Sequence, residues 1–375
     1  MTPVRVSLDA TAVPERPGGA GRYVVELAAA LPRLGTVDLT VVSRRGDAAR
    51  WRGGPGPAPV AVIEAGPSMR PVRLAWEQAA LPRLLAGMAV DVHHAPHYTM
   101  PHVSRLPTVV TVHDLSFFSH PEWHERTKAP FFRAAIRAAA ARADAIVAVS
   151  ASTASRLEAR VNVRAPIHVI PHGVDHARFH PGDGGAADHA ARARIGARQP
   201  YVAVLGTLEP RQDGPALVRA FDRVAARHPD LALVLAGARG WGAVAVESAV
   251  RGMTHRDRVR LTGYIDESDA PALLRGAAAV AYPSLEEGFG LPALEALACG
   301  APLVTTTGSA MEEVASGAAL LVDPGDVDGL AQALDALVAG GAAVDERRRL
   351  GLETAARYSW AASAAAHAEV YRSVS

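Results

Sequence analysis

One stretch of the sequence decides the fold prediction: Pro283-Ser284-Leu285-Glu286-Glu287-Gly288-Phe289-Gly290-Leu291-Pro292-Ala293-Leu294-Glu295-Ala296. It follows a short apolar strand at 277–282 and continues into an alanine- and leucine-rich helix that ends at Cys299-Gly300. We expect Pro292 as the first helical residue, because proline lacks only an N–H that would be unpaired there. The glycines let the backbone approach a ligand closely. Strand, glycine turn and helix N-terminus together predict an anion-binding site.

Two glutamates frame this turn, Glu287 at the strand end and Glu295 about one turn into the helix. Carboxylates accept hydrogen bonds from sugar and ribose hydroxyls, so the pair predicts hydroxyl recognition beside the anion site. A simpler interpretation exists for each part. The helix dipole alone favours a glutamate in a first turn, and Gly-Phe-Gly can be a tight turn. Neither explains a glutamate at both ends of the turn.

Length and composition narrow the function classes. At 375 residues two domains are expected, and 49% hydrophobic residues permit full cores. The formal net charge of +1 gives no argument for nucleic acid. Lys128 is the only lysine, so a phosphate-binding cation has to be arginine unless Lys128 serves. The single cysteine, Cys299, excludes an intrachain disulfide and fits a reducing cytoplasm. We expect no signal peptide, no spanning segment and a cytoplasmic protein.

In the first half of the chain, a strand at 4–8, a glycine turn at 17–21 and a helix at 24–31 form another strand–turn–helix unit. The β-branched strand 108–112 ends in His113-Asp114. Ligands of open parallel sheets bind beyond the carboxyl ends of the strands, which is where His113 is expected. The alternative is a helix or turn cap by Asp114 with a passive histidine neighbour.

A histidine-rich segment, 91–97, contains His93, His94 and His97. Consecutive histidines on a strand point apart, and no matching acid or cysteine cluster follows, so a metal site is disfavoured. We expect a loop that lines the ligand crevice, and no metal.

The segment 72–85 predicts one amphipathic helix that carries Arg73, Trp76 and Arg83. Such a helix can form a membrane or acceptor surface, or simply pack one face. Residues 181–199 lack a strong apolar period, and the domain boundary is placed just before them. The expected domains are 1–178 and 179–357, followed by a last helix at 358–375.

The framed turn resembles the E-x7-E signature of the retaining, nucleotide-sugar-dependent glycosyltransferases of family 4. The resemblance extends over nearly the whole chain, through the segments 18–22, 113–114, 206–211, 237–241, 263–264 and 322–326. It implies an α/β GT-B fold, with two Rossmann-like doubly wound domains that face each other across a cleft. The first domain would bind the acceptor and the second the donor, and the last helix, 358–375, would pack back on the first domain.

The resemblance also assigns roles. His113, Glu287 and Arg211 would be catalytic, with Arg211 at the diphosphate and Glu287 at the transferred sugar, and Glu295 would bind the ribose. The donor-binding residues it implies are Gly18, Gly19, Arg211, Gln212, Tyr264, Ile265, Glu287, Gly288, Phe289, Gly290, Leu291 and Glu295. His172 stands where the family often has asparagine, which suggests a turn role.

The implied reaction moves a hexose from a GDP- or UDP-linked donor to the hydroxyl of a glycan or a lipid-linked acceptor. It needs no metal and no cofactor besides the donor, and it allows peripheral contact of the first domain with the inner face of the membrane. One departure matters: the family usually has lysine where this chain has Gln212. Three alternatives therefore stay open, namely a nucleotide-sugar epimerase on the same scaffold, a non-catalytic binding protein and, less well supported, a substrate-binding protein.

Overall fold

The computed structural model describes residues 2–52, 60–182 and 184–375, and these divide into two compact units. The first unit is Met1–Gly173 with Ser359–Ser375, and the second is Val174–Tyr358. The chain leaves the first unit after Gly173 rather than at residue 178, where the sequence placed the boundary.

The first unit is built on a parallel sheet. Its strands are β1 (Val4–Asp9), β2 (Val37–Arg44), β3 (Ala61–Gly66), β4 (Val92–Ala95), β5 (Thr108–Val112), β6 (Ala145–Ala148) and β7 (Ile167–Val169). Its helices are α1 (Gly19–Ala30), α2 (Ala48–Arg52), α3 (Arg70–Ala79), α4 (Leu81–Ala86), α5 (Ser116–Ser119), α6 (Lys128–Arg142) and α7 (Ala151–Arg160). The strand order is β3-β2-β1-β4-β5-β6-β7, with every neighbouring pair parallel.

The second unit repeats this architecture. Its strands are β8 (Tyr201–Leu205), β9 (Ala232–Ala236), β10 (Val259–Gly263), β11 (Ala279–Tyr282), β12 (Leu303–Thr306) and β13 (Leu320–Val322). Its helices are α8 (Ala186–Ile195), α9 (Gly214–Ala225), α10 (Ala243–Arg251), α11 (Ala270–Arg275), α12 (Leu291–Ala298), α13 (Ala310–Ala315), α14 (Val327–Ala339) and α15 (Ala342–Ala355). The parallel order is β10-β9-β8-β11-β12-β13.

The last helix, α16 (Trp360–Val374), belongs to the first unit. It begins at Ser359, whose hydroxyl accepts a 3.1 Å hydrogen bond from the Ala362 N–H. The chain crossing beside it is tight, since a Cβ on Gly173 would lie 2.1 Å from the Trp360 nitrogen. Only glycine fits at that crossing.

The strands form because their residues are apolar on both faces. All five residues of β5 and all four of β6 are buried, as expected where helices cover both sides of a parallel sheet. In both sheets the order reverses at the first strand of the unit, between β1 and β4 and between β8 and β11. This doubly wound α/β arrangement confirms the predicted fold class and places a crevice at each reversal.

Two local predictions are wrong, at 72–85 and at Pro292, and one helix was not predicted. The helix expected at 72–85 is two helices, because the chain breaks at Ala80 between α3 and α4. The segment 181–199, of which residue 183 lies outside the described residues, contains helix α8. Pro292 is the second residue of α12, which begins at Leu291.

Within the three described ranges, no single helix is long and apolar enough to cross a membrane. The successive helices α14 and α15 pass the same length and composition test only when they are taken together, and they are bent by 96°.

Candidate functional site

The framed turn lies where the strand order of the second unit reverses. β11 ends at Tyr282 and β8 at Leu205, and the two strands are neighbours. The Tyr282 hydroxyl joins the two strand ends, because it lies 3.3 Å from the Leu205 nitrogen and 3.1 Å from the Leu205 oxygen. The segment 283–290 therefore starts from a fixed point at the carboxyl edge of the sheet, which is the edge that binds ligands in this topology.

Two glycines bring the backbone together along the same edge. Gly206 donates to the Ala236 oxygen at 2.9 Å, and Gly237 donates to the Gly263 oxygen at 2.8 Å. A Cβ on Gly237 would lie 1.9 Å from the Gly206 oxygen, so no side chain fits there. The backbone therefore has no side chain at Gly206 and Gly237, which directly follow β8 and β9.

The structure brings Arg211 and Glu287 together. Arg211 Nη1 lies 2.5 Å from Glu287 Oε2, and the two side chains are 33% and 16% exposed. The Leu285 N–H also donates to the Arg211 carbonyl at 2.7 Å, so backbone and side chain both tie residue 211 to the turn. The Gly288 N–H lies 3.3 Å from Glu287 Oε1 and holds the other oxygen of that carboxylate. A guanidinium and a carboxylate, both reachable by solvent, lie side by side.

Gln212 takes part in the loop that carries Arg211. Its side-chain oxygen accepts from the Glu209 N–H at 3.5 Å, as half of a capping box with the Glu209 side chain. Its amide nitrogen lies on the other side, 2.9 Å from where a Cβ on Gly206 would be. Gln212 therefore presents a neutral N–H donor over the end of β8, where a lysine would present a charge.

The turn ends at the N-terminus of α12. Gly290 has φ +94°, a left-handed conformation that favours glycine, and a Cβ there would lie 2.4 Å from Met311 Cγ. Leu291 begins the helix, and Phe289 packs edge-on against Tyr358 at 6.0 Å between ring centroids. The positive end of the helix dipole therefore lies at the end of the turn, with no side chain at residue 290.

Glu295 lies inside α12 and only 3% of its surface is exposed. Two other predicted donor residues follow β10, the edge strand of the sheet. Gly263 has φ +71° and turns the chain so that Tyr264 is 48% exposed and Ile265 is half-buried. Trp241, in the loop after β9, is 65% exposed.

In the first unit, Gly18 caps α1 and Gly19 begins it. A Cβ on either glycine would meet no described atom within 4 Å, so a ligand can approach the backbone of both residues. The Arg22 N–H donates to the Gly18 oxygen at 2.7 Å and fixes this first turn.

His113 follows β5, as predicted, and its imidazole is oriented by one hydrogen bond. His113 Nε2 lies 2.8 Å from the Pro96 carbonyl oxygen, which can only accept, so Nε2 carries the proton. Burial lowers the pKa of His113, although the Pro96 bond and Asp114 offset part of the effect, and the ring is neutral at pH 7. Nδ1 of this tautomer is a hydrogen-bond acceptor.

Asp114 forms a turn cap, which is the simpler of the two interpretations given for this segment. Its Oδ1 accepts from the Ser116 N–H at 3.0 Å and from the Ser116 hydroxyl at 2.7 Å, which fixes the start of α5. The cap and the histidine are thus separate: Asp114 shapes the turn, and His113 lies beside it at the carboxyl edge of the first sheet.

The histidine-rich segment does not form the loop that the sequence suggested. His93 and His94 lie in strand β4 and point apart, since His93 Nδ1 contacts the Ser7 hydroxyl at 2.7 Å and His94 Nε2 contacts the Thr111 hydroxyl at 2.8 Å. Over the described residues, no three histidine, cysteine, aspartate or glutamate side chains form a cluster that could hold a metal ion. His172, expected at a turn, is buried and packs against the rings of Tyr23 and Trp360.

Two doubly wound units, each with a strand reversal, have the architecture of the GT-B fold. Solved structures share this fold: sucrose-phosphate synthase from Thermosynechococcus elongatus has a TM-score of 0.80 at 22% identity, covering 99% of this chain and 98% of the other. HepE from Anabaena, in complex with UDP and glucose, has a TM-score of 0.76 at 20% identity, with 98% and 99% covered.

The chain belongs to glycosyltransferase family 4. Residues 17–178 match the model described as Glycosyltransferase Family 4, and residues 199–340 match Glycosyl transferases group 1. The O-antigen chain mannosyltransferase B of Escherichia coli is 30% identical over 308 residues, which cover 80% of this chain and 77% of that protein. The family resemblance expected from the sequence is therefore confirmed, and the chain is a glycosyltransferase.

Proposed function

We propose that this protein transfers a hexose, with mannose as the first candidate, from a nucleotide diphosphate sugar to an acceptor hydroxyl with retention of configuration. The observation that carries the proposal is the Arg211–Glu287 pair, 2.5 Å apart beside the N-terminus of α12. A cation and a helix N-terminus suit a diphosphate, and the adjoining carboxylate suits a sugar hydroxyl. Mannose is chosen because the Escherichia coli relative is named a mannosyltransferase.

The chemistry assigned to these groups is stabilisation of the leaving diphosphate. The bond between the anomeric carbon and the phosphate oxygen breaks, and its electron pair goes to that oxygen. Arg211, the positive end of α12 and the Gln212 amide would share the developing charge. The acceptor oxygen bonds to the anomeric carbon on the same face, and its proton passes to the leaving phosphate oxygen. No protein nucleophile is needed in this scheme.

Glu287 has two tasks in the proposal. Its Oε2 is paired with Arg211, which holds the guanidinium in one orientation. Its other oxygen would accept from a hydroxyl of the transferred sugar. Charge-assisted hydrogen bonds of this kind are about twice as strong as neutral ones.

The remaining carried-over residues complete the donor site. Glu295 would bind the ribose, and Tyr264 with Ile265 would contact the base. The backbone at 288–291 would serve the sugar and diphosphate. In the first unit, Gly18 and Gly19 would approach the donor through open backbone, and neutral His113 would accept a hydroxyl hydrogen bond at Nδ1.

We also propose a cytoplasmic enzyme that touches the inner face of the membrane and acts in cell-surface glycan, glycolipid or polysaccharide synthesis. Support for the contact comes from Met69 and Val72, at the start of α3, which are exposed apolar side chains next to Arg70. An acceptor attached to a lipid or a glycan would suit such a surface. The proposal includes no metal ion, since a helix N-terminus and a guanidinium supply positive charge at the diphosphate.

The test is a panel of GDP- and UDP-linked sugars, each measured by thermal shift and by donor hydrolysis. A matching donor at a hundredfold excess over its Kd raises the unfolding free energy by about 2.7 kcal/mol. Glu295→Gln should remove most of that shift while it preserves side-chain size. If no donor in the panel gives a thermal shift or is hydrolysed, the proposal is contradicted. If the thermal shift is unchanged in Glu295→Gln, only the assignment of Glu295 to the ribose is contradicted.

The neutral Gln212 side chain favours a second candidate function, that of a protein that binds the donor and has lost catalytic turnover. Its amide is occupied in part by the Glu209 cap and carries no charge. Donor binding without hydrolysis in wild type, together with hydrolysis in Gln212→Lys, is the result that this candidate predicts.

A further inference from the structure

A buried polar cluster lies behind His113 in the first unit, and the proposed mechanism does not use it. At its centre is Tyr23 of α1, which has no exposed surface. The Tyr23 ring meets His113 in a T-shaped contact, with 5.1 Å between ring centroids and 77° between planes. The same ring lies 4.8 Å from His172. His113 thus has a hydrogen bond to Pro96 at one nitrogen and the Tyr23 ring against its side.

The hydroxyl of Tyr23 is held by two partners. It lies 2.8 Å from His367 Nε2 and 2.9 Å from the Thr111 hydroxyl. His367 Nδ1 lies 2.7 Å from the Ser363 carbonyl oxygen, which can only accept, so Nδ1 carries the ring proton. Nε2 of the neutral ring must then accept, and Tyr23 is its donor.

The proton order continues in one direction through the rest of the cluster. Because Tyr23 donates to His367, its oxygen accepts from the Thr111 hydroxyl. Thr111 Oγ1 in turn accepts from His94 Nε2 at 2.8 Å. His94 Nδ1 then accepts from the Tyr371 hydroxyl at 2.7 Å. Five hydrogen bonds are satisfied by one arrangement of protons, and every histidine in it is neutral.

Burial supports this arrangement. It lowers the pKa of His367 to about 4, and it lowers that of His94 well below its usual value. It raises the pKa of Tyr23 above its ordinary range. At neutral pH these groups therefore keep the protonation states that this order of donors requires. Fully satisfied buried networks hold one conformation.

From this geometry we propose that Tyr23 is a positioning residue for His113. The C-terminal helix, through His367 and Tyr371, fixes the Tyr23 ring, and that ring fixes the imidazole plane that presents Nδ1 to the sugar. The expected effect on donor hydrolysis rests on the proposed function, whereas the expected orientation of His113 does not. Its chemistry is the orientation of a neutral hydrogen-bond acceptor, with no proton transfer by Tyr23 itself.

The structural arm of the test is NMR of protein labelled with ¹⁵N-histidine, with the His113 signals assigned from His113→Gln. Wild type should show His113 as the Nε2–H tautomer at pH 7. Tyr23→Leu removes the ring, so the imidazole plane can turn away from the Pro96 carbonyl that fixes its proton, and the variant should give a mixture of tautomers. Tyr23→Phe keeps the ring and should lie between. A His113 that remains the Nε2–H tautomer in Tyr23→Leu would overturn the inference, whatever the activity.

The kinetic arm is a double-mutant cycle with donor hydrolysis as readout. Tyr23→Leu should lower kcat about tenfold, or about 1.4 kcal/mol, with the donor KM unchanged. Tyr23→Phe should restore part of that loss. In a His113→Ala background Tyr23→Leu should cost nothing further, because the group that it positions is gone.

The outcomes separate the two proposals. An equal loss from Tyr23→Leu in both backgrounds means a general structural role and overturns the positioning role. A wild type that hydrolyses no donor overturns the proposed function, while the NMR comparison still decides whether Tyr23 orients His113. Circular dichroism of each variant shows whether its fold is retained.

Discussion

Replacing Arg211 tests the proposed diphosphate site most directly. Arg211 is one third exposed and pairs with Glu287 at 2.5 Å. A donor group that stabilises a transition-state oxyanion is worth roughly 2.7–4 kcal/mol, and partial exposure favours the lower end. Arg211→Ala should therefore lower the kcat of donor hydrolysis about a hundredfold. Part of the loss comes from Glu287, whose carboxylate is left without its guanidinium partner.

Gln212 supplies the contrast. It offers a neutral amide, and a typical neutral hydrogen bond contributes about 1 kcal/mol, so Gln212→Ala should cost about fivefold. Gln212→Lys puts a charge over the end of β8 and should raise kcat by about tenfold, or about 1.4 kcal/mol. Arg211→Lys should fall between wild type and Arg211→Ala, because it keeps the charge and loses the bidentate geometry.

The assay is release of nucleoside diphosphate from the donor identified in the panel, which needs no known acceptor. Arg349 is the matched control, since it forms an arginine–glutamate pair with Glu346 at 2.6 Å on α15 of the same unit. Arg349→Ala should leave hydrolysis unchanged, because exposed pairs contribute little. Full hydrolysis by Arg211→Ala would refute the reasoning and make Arg22 the next candidate for the phosphate cation.

Three further predictions follow from other features. Turnover should persist in a chelator, and loss of turnover that Mg²⁺ or Mn²⁺ restores would contradict the metal-free proposal. Gly290→Ala should destabilise more than Gly308→Ala in urea unfolding, because both have positive φ, which costs an alanine about 1–2 kcal/mol, but only residue 290 also meets Met311. Burial lowers the pKa of His367 to about 4, so the unfolded chain binds the proton first and stability is lost as pH falls from about 6.5 to about 4. That loss amounts to about 3 kcal/mol, and it should be missing from His367→Gln when the two unfolding free energies are compared across pH.

Apolar patterns predicted the two sheets because buried parallel strands are continuous runs of β-branched and aliphatic residues. The β5 strand and the segment before Pro283 are of this kind. Helix α8 was missed for the opposite reason. Its buried face includes Asp188, which Arg275 holds through two hydrogen bonds of 2.7 and 2.5 Å. An ion pair between residues far apart in the chain gives no apolar period.

The framed turn could be located from the sequence because its glycines, proline and glutamates are close together in the chain. The contact between Arg211 and Glu287 could not be, since it depends on two loops from neighbouring strands. The cluster around Tyr23 could not be predicted for the same reason, because its members come from α1, β4, β5 and α16. The spacing of Ser363, His367 and Tyr371 at four-residue steps on one helix face was its only local signal.

The place of α16 in the first unit has a consequence for synthesis. Tyr23 and its partner His367 are separated by 344 residues. The whole of Val174–Tyr358 is therefore made before the first unit can close its buried hydrogen bonds, whereas the second unit is continuous and can fold as soon as it leaves the ribosome. During that interval the hydroxyl of Tyr23 and the ring of His94 lack the helix that covers them.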